Sequence, residues 1–195
     1  MDLRALAMRV ASLPPWDNLS EVVHFSNDIV SVVGKTSKSR QTGFEKEFTV
    51  LQSPDLVHVA ALTNKGEIVL VRQFRHGVDR FTLELPGGSV NSGESPAEAA
   101  PRELAEETGF VSELWELLGS AFTHPSVCSN SVHMFLASGA VLTEGLPPDK
   151  GEEIEVVAVP VKEAVKMCHD GRILHPFSHS TIFAMLAKHP ELSRL

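Results

Sequence analysis

A chain of 195 residues with 43% hydrophobic and 22% charged side chains is long enough to build its own core and too apolar for a disordered protein. Its formal charge of −8 at pH 7, with lysines and arginines scattered rather than clustered, argues against a nucleic-acid binder and requires that any anionic ligand be met by cations. No stretch approaches the ~18 apolar residues of a membrane span, and Cys128 and Cys168 lack CxxC spacing, so a cytoplasmic protein with reduced thiols and no membrane partner is expected.

In chain order, Leu3, Leu6, Val10 and Leu13 recur at helical spacing until Pro14 and Pro15, which predicts a short amphipathic helix; the stretch lacks the apolar core of a signal peptide. Next, "EVVHF", "DIVSVV" and "EKEFTVLQ", between Glu21 and Gln52, read as an antiparallel meander. "VHVAALT" (Val57 to Thr63) and "EIVLVRQF" (Glu67 to Phe74) flank Asn64-Lys65-Gly66, a sequence suited to a tight hairpin that opens a central sheet. Further strands are expected at Ser131 to Ala137 and Ile154 to Pro160, with helices in "VKEAVKMCHDG", stopped by Gly171, and "STIFAMLAKH". Strands mixed with a few helices predict an α+β chain whose sheet is covered by helices on both faces. The expected division is an N-terminal segment, residues 1–52, and a second domain, residues 53–195; Thr143 to Glu153 reads as a polar loop.

The stretch "GGSVNSGESPAEAAPRELAEETGF", Gly87 to Phe110, holds five glutamates. Ser95 with Glu98 forms a capping-box pattern, Pro96 suits the first helical position and Gly109 the position just past the end, so the spacing predicts a helix over Pro96 to Thr108. Arg102 stands four residues from Glu98 and from Glu106, the spacing of ordinary surface pairs. Glu103 and Glu107 are four apart with no base at a helical pairing distance, where like charges cost roughly 0.2–0.5 kcal/mol. Glu106 and Glu107 also sit at the negative end of the helix dipole. A hard cation such as Mg²⁺ or Mn²⁺, bound by Glu103, Glu106 and Glu107, resolves the conflict; a solvated acidic face is the blander reading.

From Gly88 the residues run as glycine, five residues, Glu94, seven residues, Arg102-Glu103-Leu104, one residue, Glu106-Glu107, one residue, Gly109-Phe110. This resembles the full signature of the Nudix hydrolase family, G(x5)E(x7)REUxEExGU with U a bulky apolar residue, and the likeness extends from about Val57 to Ala187. The resemblance implies the Nudix fold, an α/β/α sandwich with a mixed central sheet, here preceded by the small antiparallel N-terminal segment. It also implies hydrolysis of a nucleoside diphosphate linked to another moiety. By position Glu103, Glu106 and Glu107, with the Gly87 carbonyl, would hold the metal; Gly88, Glu94, Arg102 and Gly109 would support the box.

Pro125 stands sixteen residues beyond Gly109, and with "VRQFRHGV" and "LELPGG" resembles the ADP-ribose pyrophosphatase branch. That likeness assigns Arg75 to the diphosphate and Glu84 to the substrate site; the blander alternatives are a surface salt bridge for Arg75 and a structural hydrogen bond for Glu84. It also assigns the base to a loop glutamate, Glu152 first and Glu153 second. The same branch implies a homodimer built through the N-terminal segment. The implied substrate is ADP-ribose, cleaved to AMP and ribose 5-phosphate; the alternatives are another nucleoside diphosphate sugar such as GDP-mannose, a non-catalytic nucleotide sensor, and damaged nucleoside triphosphates.

Three features depart from the pattern. "SVCSNS" follows Pro125 where the branch often has glycine and later glutamate, Pro101 sits inside the acidic helix as a potential kink, and there is no tyrosine to clamp a base. Nine histidines, His175 and His179 foremost, raise a zinc reading, but Pro176 intervenes and no HExxH exists. They are expected as surface or helix-start residues, and His124 as a structural one.

Overall fold

The computed structural model describes residues 16–143 and 154–195. The expected N-terminal helix and the expected base glutamates Glu152 and Glu153 lie outside the described residues. The chain divides into two compact units, one running up to Ser53 and including His124–Ser129, the other made of Pro54–Thr123 and Asn130–Leu195.

The first unit is the expected meander, β1 (Trp16–Ser26), β2 (Ser31–Ser39) and β3 (Glu45–Gln52), each antiparallel to the next. The segment carrying Pro125 joins it beside β3, where Leu51 N–H donates to Val127 O at 2.7 Å and Ser129 N–H to Leu51 O at 3.1 Å. Trp16 meets Phe48 edge-on at 5.4 Å, yet Leu19, Val22, Val23 and Phe25 of β1 all stand exposed.

The second unit holds β4 (Leu56–Thr63), β5 (Glu67–Arg75), β6 (Arg80–Glu84), β7 (Gly87–Ser89), β8 (Phe110–Val111), β9 (Leu114–Phe122), β10 (Ser131–Leu142) and β11 (Glu155–Pro160). Its sheet runs β11-β5-β4-β10-β8, with β6 on β5, β7 on β4 and β9 on β10. The β4–β10 pair is parallel and the others antiparallel, so the sheet is mixed as expected. Three helices cover it: α1 (Pro96–Thr108), α2 (Val161–Asp170) and α3 (Pro176–Lys188).

Alternation along the strands assigns the two faces. Val57, Val59 and Ala61 of β4, with Phe135 and Ala137 of β10, pack against Ala99, Ala100 and Leu104 of α1. Their neighbours Ala60, Leu62, Met134 and Leu136 pack against Val161 and Ala164 of α2 and Ile182 and Met185 of α3. Strands buried on both faces read as unbroken apolar runs, which is why "VHVAALT" and "EIVLVRQF" were recognisable. The short β6, β7 and β8 and the half-exposed β9 carry no such run and were not expected from the sequence.

Local rules account for α1. Ser95 precedes Pro96, the Glu98 carboxylate accepts from the Ser95 N–H at 2.8 Å and from its Oγ at 2.7 Å, and Gly109 takes the left-handed conformation with φ 71°. The helix continues unbroken through Pro101, although that residue supplies no N–H to the Ala97 carbonyl.

Candidate functional site

The buried edge of α1 is one ridge, Ala99-Glu103-Glu107, lying beside a second, Ala100-Leu104-Thr108. Leu104 is fully buried, and burial of a leucine contributes about 1.5–3 kcal/mol, which anchors the helix so that its acidic ridge faces β7. There Gly87 N–H donates to Glu107 Oε2 at 2.9 Å, and Glu107 is only 9% exposed. Gly88, paired with Val57 across the β4–β7 ladder, faces the Glu103 carboxylate so closely that a Cβ on it would overlap all three carboxyl atoms. The two acids separated by one turn are therefore turned inward, where their mutual repulsion is less screened than on an open surface.

Arg102 ties the box together and corrects two expectations. Its Nε and Nη2 bind Glu94 at 2.8 and 2.9 Å, Nη2 also reaches Ser89 O at 2.9 Å, and Nη1 is shared between Glu103 at 2.8 Å and Glu106 at 2.9 Å. Glu98 is not an Arg102 partner, because the cap holds its carboxylate. Glu103 does have a basic neighbour: the long guanidinium reaches past the helical spacing rule. The Arg102 bond, with backbone donation from Asn91, lowers the Glu94 pKa to about 2, so the loop before α1 is clamped by a carboxylate that stays ionised.

This donor set fits a hard divalent cation. It offers carboxylate oxygens from Glu103, Glu106 and Glu107 on one side of a helix end, beside a glycine whose missing Cβ leaves room for the Glu103 carboxylate. The last turn of α1 itself carries no basic residue, and the base that meets Glu103 and Glu106 is Arg102.

The second group of expected residues meets on the strand that leads into β7. Glu84, at the end of β6, is fully buried and forms a two-point ion pair with Arg75 of β5, Nε to Oε1 at 2.9 Å and Nη2 to Oε2 at 2.8 Å. Thr82 Oγ1 donates to the same carboxylate. Arg75 and Thr82 together outweigh burial and hold the Glu84 pKa below its ordinary value. The Arg75 side chain is 42% exposed while its Nε and Nη2 are held by the buried Glu84 carboxylate.

Sequence reasoning missed His58. It lies on β4 with 4% exposure, stacked at 4.9 Å on His175, whose Nε2 is 3.6 Å from Glu84 Oε2. His175 is the residue before Pro176 at the start of α3, as a helix-start residue should be, but it is mostly buried. His179 is turned away, its Nε2 bonded to Ile173 O at 2.7 Å. His124 meets Ser126 at 3.0 Å within the first unit. The one signal for His58 was a polar residue inside an otherwise apolar central strand.

Among the described residues no helix is long and apolar enough to cross a membrane, and both cysteines are free. A NUDIX domain model matches residues 53–177. The ADP-ribose pyrophosphatase of Bacillus subtilis is 36% identical over 119 residues, 60% of this chain; the match spans 64% of that relative's length, under two thirds. The methanol dehydrogenase activator of Bacillus methanolicus is 30% identical over 160 residues, covering 82% of this chain and 80% of that one. A crystal structure of an ADP compounds hydrolase superposes with a TM-score of 0.82 over 94% of this chain and 99% of that one; at 21% identity the likeness is one of fold.

Proposed function

This chain belongs to the NUDIX family, and on that premise we propose that it hydrolyses the diphosphate of ADP-ribose, water adding to one phosphorus to leave AMP and ribose 5-phosphate. The observation that carries the reading is the inward acidic ridge of α1, Glu103 and Glu107, set against the bare Gly88 and a Gly87 amide. Glu103, Glu106 and Glu107, with the Gly87 carbonyl, would hold Mg²⁺ or Mn²⁺. When bound there, the cation supplies neutralisation of diphosphate charge and acidifies water.

The remaining work falls to the chain itself. Arg102 and Glu94 hold the loop before α1 in register, and Gly109 ends the helix so that Glu106 and Glu107 stay in its last turn. Arg75, braced by Glu84, presents a planar guanidinium suited to phosphate oxygens. Glu84 lines the inner wall of that subsite. Glu152, or failing it Glu153, accepts the proton of the attacking water.

We place the protein in the cytoplasm as a homodimer formed through the N-terminal unit, residues 1–52. Supporting this are the free cysteines and the apolar residues Leu19, Val22, Val23 and Phe25 exposed on β1.

The test is a panel of ADP-ribose, GDP-mannose, other nucleotide sugars and nucleoside triphosphates with Mg²⁺, comparing kcat/KM. Preference for ADP-ribose supports the reading. Preference for GDP-mannose keeps the chemistry and discards the substrate, and no turnover of any member by folded protein overturns hydrolysis in favour of nucleotide sensing.

A further inference from the structure

His58, Glu84 and His175 come from three separate elements, the strand β4, the end of β6 and the start of α3. One ligand atom from each lies within 4.8 Å of the other two. The group is interior: Glu84 is fully buried and His58 nearly so, and Phe177 stands edge-on to both imidazoles at 5.9 and 5.3 Å as an apolar wall. The scaffold is tied in place. Ser178 Oγ accepts the Leu85 N–H at 2.9 Å and meets His175 Nδ1 at 3.3 Å, so the start of α3 and the strand carrying Glu84 are linked.

Hydrogen bonding among the described residues leaves this cluster incomplete. His58 Nδ1 is buried with no hydrogen-bond partner among the described residues, and an unsatisfied buried polar atom is a costly feature that a ligand relieves.

We propose that His58, Glu84 and His175 form a second cation site, distinct from the carboxylates of α1, that takes a borderline transition metal such as Zn²⁺. Two imidazoles and one carboxylate are the donor set such ions prefer, whereas Mg²⁺ prefers the all-oxygen platform of α1. The separation of His175 Nε2 from Glu84 Oε2, 3.6 Å, approaches that of two ligands on one small ion. Ligation through Oε2 competes with the Arg75 Nη2 bond and leaves the Nε to Oε1 bond in place. Occupancy of the site is therefore coupled to the setting of Arg75, which gives Zn²⁺ a means of modulating the anion subsite.

The test reads metal binding, so it does not depend on the hydrolase reading. The full chain is stripped with chelator and titrated with Co²⁺, followed by visible absorption, and with Zn²⁺ by calorimetry, both in excess Mg²⁺. The doubly substituted Glu103→Gln/Glu107→Gln protein should still take one equivalent of Co²⁺ or Zn²⁺. His175→Asn should weaken that binding by about 100-fold or more, as loss of one of three protein ligands requires. His175 is the less buried of the two histidines, and the metal-free melting temperature of His175→Asn checks that it folds; a His58→Gln variant gives an independent second arm. Absence of an equivalent in the doubly substituted protein overturns the proposal, as does binding that survives both histidine substitutions.

Discussion

Gly87 and Gly88 are adjacent, share the strand β7, and are predicted to fail in different ways when given a methyl group. At Gly88 the added Cβ would meet Glu103 Oε1, Oε2 and Cδ, the far end of a flexible side chain that can swing aside at small cost to the fold. At Gly87 it would meet the Val57 carbonyl and the His58 Cα, which are backbone inside the β4–β7 ladder and cannot move without disturbing the sheet. Overpacking against fixed backbone costs about 1–3 kcal/mol. Gly87→Ala is therefore expected to lower unfolding free energy in urea by that amount. Gly88→Ala should melt close to the wild type but displace the Glu103 carboxylate by about an ångström, for which a loss of about 100-fold in kcat is the expected scale. The Mg²⁺ concentration giving half-maximal rate should rise as well. Gly77→Ala is the control, since a Cβ there meets nothing within 4 Å. Gly88→Ala with wild-type kcat and wild-type Mg²⁺ dependence would refute the assignment of Glu103 as a ligand.

Glu107→Gln keeps an oxygen for the Gly87 N–H, so the strand should stay in place while hydrolysis falls by about 100-fold or more; circular dichroism and turnover together check it. The Glu94 pKa is lowered from 4.5 to about 2, so the protonated form is disfavoured in the folded state. Its stabilising contribution is then complete above pH 4.5 and is lost as pH falls toward about 2. The gap in melting temperature between wild type and Glu94→Gln should accordingly be open at pH 6 and narrow steadily below pH 4.5, and a gap independent of pH would contradict the clamp. Pro101→Ala restores the N–H that the Ala97 carbonyl lacks and should raise stability by about 2 kcal/mol, the helix penalty less the entropy the proline removes from the unfolded chain. A Val23→Lys substitution among the exposed apolar residues of β1 should convert the proposed dimer to monomer in analytical ultracentrifugation.

The reach of the sequence follows the reach of the interactions. The bounds of α1 agree with Pro96–Thr108 because its signals lie within a few residues of each end: Ser95 with Glu98, Pro96, and a glycine able to adopt positive φ. β4 and β5 were recognisable from apolar runs, because burial on both faces of a sheet writes itself into each strand separately, and β11, partly exposed at the end of the sheet, from its valine-rich composition. The conflict between Glu103 and Glu107 was likewise local, one turn of helix apart. β6, β7 and β9 were not recognisable, since short or half-exposed strands are paired by their neighbours rather than by their own composition.

What the sequence determined by itself, then, is the acidic helix, its caps and the signature that places the chain in its family. Only the tertiary structure decided where the charges went. Arg102 reaches Glu94 and the Ser89 carbonyl because β7 lies beside α1, which no helical spacing rule contains. Arg75 closes on Glu84 across the β5–β6 pair, and His58 meets His175 although 117 positions separate them (175 − 58), because the central sheet and α3 bring distant strand and helix ends to one buried point. A buried polar group is placed by the path of the whole chain, and its partners have no fixed offset in sequence.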